Sequence, residues 1–270
     1  MDFVTKDFYS MADLLEIVEI LRSENGCPWD RKQTHRSVSK NMIEEAYEVV
    51  DAILRKDVPA LQEELGDVLL QVVFHAQMET EKGSFTFEEV VDGVAKKLVF
   101  RHPHVFGDQT ASDGEAALAT WEEQKKVEKH QKTDTETLQS VPKIFPSLMR
   151  ADKVLHRAKK AGIAAQTEEE AYAPLEDATA KFYETMLSGD REKMADVLSD
   201  VLFSAAKISQ YYGFDSEKLL TNATEKFINR FDMTERLVTA DDKALRELEP
   251  EERNAYWERA GEAQAPHHDR

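Results

Sequence analysis

EEAYEVVDAILRKDVPALQEELGDVLLQVVFHAQ, residues 44–77, decides the fold. Ile43, Ala46, Tyr47, Val50 and Leu54 make one apolar stripe at helical spacing, so the spacing predicts a helix from Arg36 to Lys56. Asp57-Val58-Pro59 ends it and begins another, with proline in a first turn where its missing N–H costs nothing. The second arm runs to about Lys82, where Gly83 stops it. The product is a helical hairpin.

Outward from the hairpin the pattern stays helical. Leu14, Leu15, Val18 and Leu21 mark a first helix from about Met11 to Glu24, closed by Asn25-Gly26 and followed by a loop from Cys27 to His35. Thr86 with Glu89 reads as a capping box for a fourth helix reaching Phe100. After His102-Pro103-His104 and an acidic loop, Glu115 to Lys132 is a highly charged helix with a connecting role. Thr133 to Pro146, with Pro142 and Pro146 among small polar residues, is the expected linker. Further helices are expected near Ser147–Lys160, Thr167–Leu187, Asp190–Tyr212, Ser216–Val238 and Asp241–Trp257, before a disordered tail at 261–270.

The halves repeat. Glu45 matches Asp177, Asp67-Val-Leu-Leu matches Asp200-Val-Leu-Phe, and Lys97 and Arg101 match Lys226 and Arg230 at a nearly constant offset. Phe85 and Glu88 likewise match Phe214 and Glu217. A duplicated helical module explains this economically, with modules at 1–132 and 147–260 around the linker at 133–146.

Composition agrees and narrows the function. In 270 residues, 10 Gly and 8 Pro against 33% charged residues fit an all-α protein. With 35 basic and 53 acidic residues the formal charge is −18, which argues against a binder of nucleic-acid polymer, since such proteins present basic surface. A single cysteine, Cys27, forms no intramolecular disulfide and fits a reducing cytoplasm. The most apolar stretch, Val68 to Ala76, is too short to span a bilayer, and Met1 to Ser10 has no signal-peptide pattern, so a soluble cytoplasmic protein without a membrane partner is expected.

Chemistry concentrates on the hairpin. Glu45 with Glu48, and Glu64 with Asp67, lie three apart and share a helix face, so two carboxylate pairs meet across the arms. Hard oxygen ligands in that number suit Mg2+, which leaves coordination positions for water and phosphate. Glu-rich helices are ordinarily solvated faces. These acids, however, border the most apolar helices in the chain, with Glu64 and Asp67 flanking Leu61, Leu65 and Val68, where they repel one another unless a cation sits between them. No histidine follows a glutamate by three residues, which removes the di-iron bundle chemistry built on that pair. His102 and His104 have no third zinc ligand in view and read as structural. Lys97 and Arg101 share a face of the fourth helix and are candidates to receive phosphate oxygens. In the loop, Trp29 is either a core plug or, with His35, a surface for a base.

Taken in order, GCPWDRKQTH (26–35), EEAYEVVDAI (44–53), EELGDVLLQVVFHAQ (63–77) and RHPHVFGD (101–108) resemble the MazG nucleoside triphosphate pyrophosphohydrolases of the all-α NTP-pyrophosphatase superfamily. The resemblance extends to PSLMRADKV (146–154) and KFINRF (226–231). It implies a Mg2+-dependent enzyme that splits a nucleoside triphosphate between its α and β phosphates, and homodimers of helical bundles. It also implies that Glu45, Glu48, Glu64 and Asp67 are the metal ligands, with Glu44 supporting them or orienting the attacking water. Lys97 and Arg101 would then stabilise phosphate oxygens, with Trp29 and His35 near the base. The second module departs from the pattern at the chemistry: Ala180 stands for Glu48 and Val197 for Glu64, leaving Asp177 and Asp200, and no aromatic follows Gly162 in Gly162-Ile163-Ala164-Ala165. It reads as a degenerate copy kept for packing, dimerisation or regulation, with Lys226 and Arg230 as a residual anion site. A narrower pyrimidine dNTP pyrophosphatase and a non-enzymatic helical dimerisation or nucleotide-sensing protein are the alternative readings.

Overall fold

The computed structural model describes residues 3–264, which form twelve α-helices, two short 3-10 turns and, among the described residues, no strand. No helix among them is long and apolar enough to cross a membrane. The chain divides into two compact units, Met1–Lys125 and Lys126–Arg270.

In the first unit, α1 (Met11–Arg22), α2 (His35–Arg55), α3 (Val58–Thr80) and α4 (Phe87–Arg101) follow the sequence pattern to within two or three residues at each end. Side-chain caps set the boundaries. Ser10 and Asp13 cap each other's backbone, as do Thr34 with Ser37 and Thr86 with Glu89. Asp57 starts α3 by accepting from the Ala60 N–H at 3.1 Å. Each such cap is worth about 1 kcal/mol. Two differences follow in this unit. His102-Pro103-His104 opens a one-turn helix, α5 (Pro103–Phe106), and α6 spans Gly114–Glu128 and stops short of Lys132.

The core of this unit sits at one end of the hairpin. Val18 of α1, Val38 near the start of α2 and Val73, Phe74 and Met78 near the end of α3 are buried together, with Met11, Leu14, Leu15, Leu70 and Phe87 packed around them. Burying a side chain of this size contributes roughly 1.5–3 kcal/mol. The stripe that defines α2 has a different fate: Ile43, Tyr47, Val50 and Leu54 are all exposed, and so is Ala46. Their helical spacing is real, but nothing else in the unit covers them.

The second unit contains α7 (Asp134–Gln139), α8 (Ser147–Lys160), α9 (Glu168–Ser188), α10 (Arg191–Tyr212), α11 (Ser216–Ala240) and α12 (Pro250–Gln264). Its punctuation repeats that of the first unit. Thr167 and Asp190 cap α9 and α10 as Thr34 and Asp57 cap α2 and α3, and Asp215 caps α11 where Thr86 caps α4. Left-handed residues recur as well, with Lys56 at φ 57° and Gly189 at φ 71° as C-caps between the hairpin arms, then Gly83 at 70° in the turn after α3 and Gly213 at 73° as the C-cap of α10. Residues 133–146, expected as a linker, hold α7 and are tied down: Val141 is buried, and Arg157 donates to the Thr137 carbonyl and, at 2.8 Å, to the Ser140 hydroxyl.

α12 begins at Pro250, not at Asp241 as its periodicity suggests. Proline disfavours helix in the residue before it and is at home in a first turn. The preceding turn is fixed by Tyr256, whose hydroxyl donates to Asp241 at 2.6 Å. The helix also runs through Gly261 to Gln264, so these residues of the expected disordered tail are helical, and the remainder, 265–270, lies outside the described residues.

Candidate metal centre and phosphate site

The hairpin of α2 and α3 places two acidic turns face to face. One ligand oxygen each from Glu45, Glu48 and Glu64 lies within 4.8 Å of the others, the one such group of acids, histidines or cysteines among the described residues. Glu45 and Glu64 are half-buried and Glu48 is exposed. Both half-buried carboxyls are held above their ordinary range. For Glu45 the causes are loss of solvation, then the charges of Asp67, Glu48 and Glu44; for Glu64 they are loss of solvation, then Glu48, Glu63 and Asp67. Asp67 stands outside the tight trio, yet its charge reaches both glutamates. Glu44 is exposed beside them.

Like charges this close favour either a proton or a cation among them. The donor set contains only carboxylate oxygens, which fits a hard divalent ion and leaves positions for other oxygens. The chemistry of these residues suits a hard divalent cation.

The expected phosphate cations lie on α4, which packs on α3. Lys97 is half-buried and Arg101 is buried. The Arg101 guanidinium lies 5.0 Å from the centre of the Trp121 ring, and the Lys125 ammonium approaches the same ring at 4.9 Å. Trp121 belongs to α6, which the charge pattern marked as a connector, so this contact is not foreseen from composition. One signal was present: a Trp-Glu pair follows each Lys-x-x-x-Arg, at Trp121-Glu122 and at Trp257-Glu258.

Trp29 is 61% exposed on its loop, so it is no core plug. His35 has less freedom. Its Nε2 lies 2.5 Å from Glu79, its Nδ1 lies 2.7 Å from Nδ1 of His75, and the two imidazoles are parallel. Lys82 and His35 hold the Glu79 carboxyl down at about 2. Burial, with the His35 charge second, lowers the His75 pKa. With Glu79 ionised, His35 donates to it through Nε2–H, and a single proton is shared between the facing Nδ1 atoms of His35 and His75. Both ring nitrogens of His35 are therefore engaged, while the side chain stays 40% exposed.

At the equivalent place in the second unit, Asp177 pairs with Lys181 at 2.5 Å and Val197 is buried. Arg230 is engaged as well. Its Nε donates to the Trp257 carbonyl at 3.0 Å, its guanidinium lies 4.5 Å from the Trp257 ring centre, and Nη2 is 3.4 Å from Glu258. Gly261 permits this approach, since a Cβ there would stand 2.7 Å from the Arg230 guanidinium carbon. The residual anion site expected at Arg230 is thus occupied by α12 itself.

Residues 33–106 match the family model described as the MazG nucleotide pyrophosphohydrolase domain. The chain is 39% identical over 92% of its length to a Thermotoga maritima protein named nucleoside triphosphate pyrophosphohydrolase/pyrophosphatase MazG, covering 94% of that protein. It is 36% identical over 91% of its length to an Escherichia coli K12 nucleoside triphosphate pyrophosphohydrolase, again covering 94% of the relative. A Bacillus subtilis protein, YabN, is 35% identical over 95% of this chain, which spans 53% of that longer protein.

Proposed function

The chain belongs to the MazG family of nucleotide pyrophosphohydrolases, and from that premise we propose that it is a Mg2+-dependent enzyme converting a nucleoside triphosphate and water to a monophosphate and pyrophosphate, with catalysis in the module at 1–132. The observation that carries the reading is the convergence of Glu45, Glu48 and Glu64 oxygens within 4.8 Å on facing arms of one hairpin. In this reading Glu45, Glu48, Glu64 and Asp67 hold the cation. Mg2+, when bound, offsets phosphate charge and makes water a better nucleophile. Glu44, exposed next to Glu45, orients that water or takes its proton. Lys97 and Arg101 receive oxygens of the triphosphate, and the Trp121 face restricts the guanidinium plane so that less freedom is lost on binding. Trp29 offers its exposed ring to the base, with His35 beside it. The module at 147–260 serves packing, dimerisation or regulation, supported by the loss of glutamate at Ala180 and Val197. A cytoplasmic location accords with the free thiol of Cys27.

Pyrophosphate and monophosphate should appear in equal amounts from a panel of NTPs and dNTPs when Mg2+ is present, and from none in its absence. Turnover confined to pyrimidine dNTPs would favour the narrower pyrophosphatase. No turnover of any member would overturn the enzyme reading in favour of a nucleotide-sensing protein.

The uncovered apolar residues of the hairpin support a homodimer. Ile43, Tyr47, Val50 and Leu54 of α2 continue into Leu65 and Leu69 of α3, and an exposed apolar surface of that kind marks an interface. Light scattering should give a mass near twice 30.8 kDa. A monomer at all concentrations would remove this part of the proposal, and Val50→Lys with Leu54→Lys should produce that monomer.

A further inference from the structure

Trp29 is exposed, yet the loop carrying it is tied at both ends. Arg22, buried at the end of α1, donates from Nε and Nη2 to the two carboxylate oxygens of Glu81 at 2.6 and 2.9 Å. Its Nη1 donates to the carbonyl of Asp30 at 2.6 Å, the residue after Trp29, and its face lies 5.0 Å from the Phe74 ring centre. Within the loop, Gln33 donates to the Trp29 carbonyl at 3.0 Å and Arg31 to the Glu24 carbonyl. Gly26 leaves no room for a Cβ against the Ile20 and Leu21 carbonyls, and the Cys27 N–H donates to Leu21 at 2.8 Å. At the far end, His35 reaches Glu79. Glu79 and Glu81 thus grip the loop from the C-terminal end of α3, the helix that carries Glu64 and Asp67 in its N-terminal half.

The second unit is an internal comparison. Its loop before α9, Gly162-Ile163-Ala164-Ala165-Gln166, is shorter and has no aromatic. Its α10 passes from Tyr212 directly to Gly213, without the Glu81-Lys82 step that separates Thr80 from Gly83. The α9–α10 hairpin forms all the same. A grip of this kind is therefore not required to close a hairpin of this fold, and it is present in the unit whose carboxylate set is complete.

We propose that Arg22 and Glu81 are positioning residues for the substrate, acting through Trp29: their fork fixes the Trp29 loop to the helix bearing Glu64 and Asp67, so that base and triphosphate are held against one rigid element. The inference rests on the reading of Trp29 as the base contact. A loop already in its binding conformation spares the ordering cost that a free aromatic incurs on association, and that saving appears in affinity for substrate. Lysine cannot replace the fork, because it offers a point charge and no planar pair of donors.

The test uses the full chain with ATP and dCTP, and 5-fluorotryptophan labelling to give 19F signals from the three tryptophans, that of Trp29 identified through Trp29→Phe. Arg22→Lys and Glu81→Gln are each expected to raise KM about tenfold with kcat within about twofold, and to shift or broaden the Trp29 signal alone. Added to Trp29→Ala, neither should raise KM further, as expected of residues acting through one another. If Trp29→Ala raises KM while both fork variants keep the wild-type value, the positioning inference is overturned and the base contact stands. A wild-type KM in Trp29→Ala overturns the base contact itself, and the inference with it. Should Arg22→Lys fail to fold, Glu81→Gln decides alone, since it removes one charge from a side chain 36% exposed.

Discussion

Glu45→Gln combined with Glu48→Gln in the full chain is expected to abolish pyrophosphate release, whereas Asp177→Asn combined with Asp200→Asn should leave kcat/KM within about twofold. Glutamine keeps the size of glutamate and removes the charge, so the first pair takes two of four anionic ligands from the proposed site. The loss should exceed the roughly 10 to 100-fold that follows damage to residues merely supporting a metal ligand. Single changes at Glu48 or Asp67 should do the same to a smaller degree. The direction of the stability change separates function from folding. Glu45 is held above its ordinary range by loss of solvation and by neighbouring carboxylates, so the metal-free Glu45→Gln protein should melt higher than wild type at neutral pH. An enzyme inactive because it is unfolded would melt lower. Full activity in the first pair, or inactivity of the second without a fall in melting temperature, would relocate the chemistry.

The hairpins, the all-α class and most helix ends were legible in the sequence because they follow local rules. Thr86 with Glu89 and Asp57 before Pro59 act over a few residues, and the structure places both N-caps where the spacing put them, with the left-handed Gly83 following two residues beyond the C-cap Glu81. The carboxylate trio was legible because residues three apart on one helix share a face and a hairpin brings two such faces together. The start of α12 was missed where two local rules conflict: helical periodicity from Asp241 onwards is overruled by Pro250.

Long-range partners left no periodic trace. Arg22 and Glu81 are ordinary charged residues at the ends of two helices, and only the packing of α1 beside α3 makes them a fork. Trp121 lay in a helix whose charge hid its contact with Arg101. Exposure is the subtler case. The stripe Ile43, Tyr47, Val50 and Leu54 has core spacing, and spacing states that a face wants covering without stating by what. The same spacing in α1 meets Val73 and Phe74 inside the unit.

Removing Mg2+ should abolish turnover and lower the melting temperature by an amount that grows with pH. The sign follows from the two raised glutamates. Their ordinary value is 4.5, and in the fold Glu45 and Glu64 titrate above it, so between 4.5 and the folded value the native state binds more protons than the unfolded chain. Without metal, their contribution to stability is therefore greatest in acid and declines as pH rises through that window. Bound Mg2+ takes the place of those protons, so its stabilising effect should vanish near pH 4.5 and reach a plateau once both carboxyls have ionised. At a hundred times its dissociation constant the ion adds about 2.7 kcal/mol. Glu79 works the other way: held down at about 2 by Lys82 and His35, it contributes stability that is complete above 4.5 and lost below it as pH falls toward 2. His75, lowered from 6.5 by burial and His35, adds a loss as pH falls below that value. Neither belongs to the carboxylate cluster, so the difference between melting curves with and without Mg2+ at each pH cancels both. Glu45→Gln with Glu48→Gln should erase that difference throughout. An increment that does not fall as pH approaches 4.5, or that survives in the double variant, would mean that the ion binds elsewhere on this acidic chain.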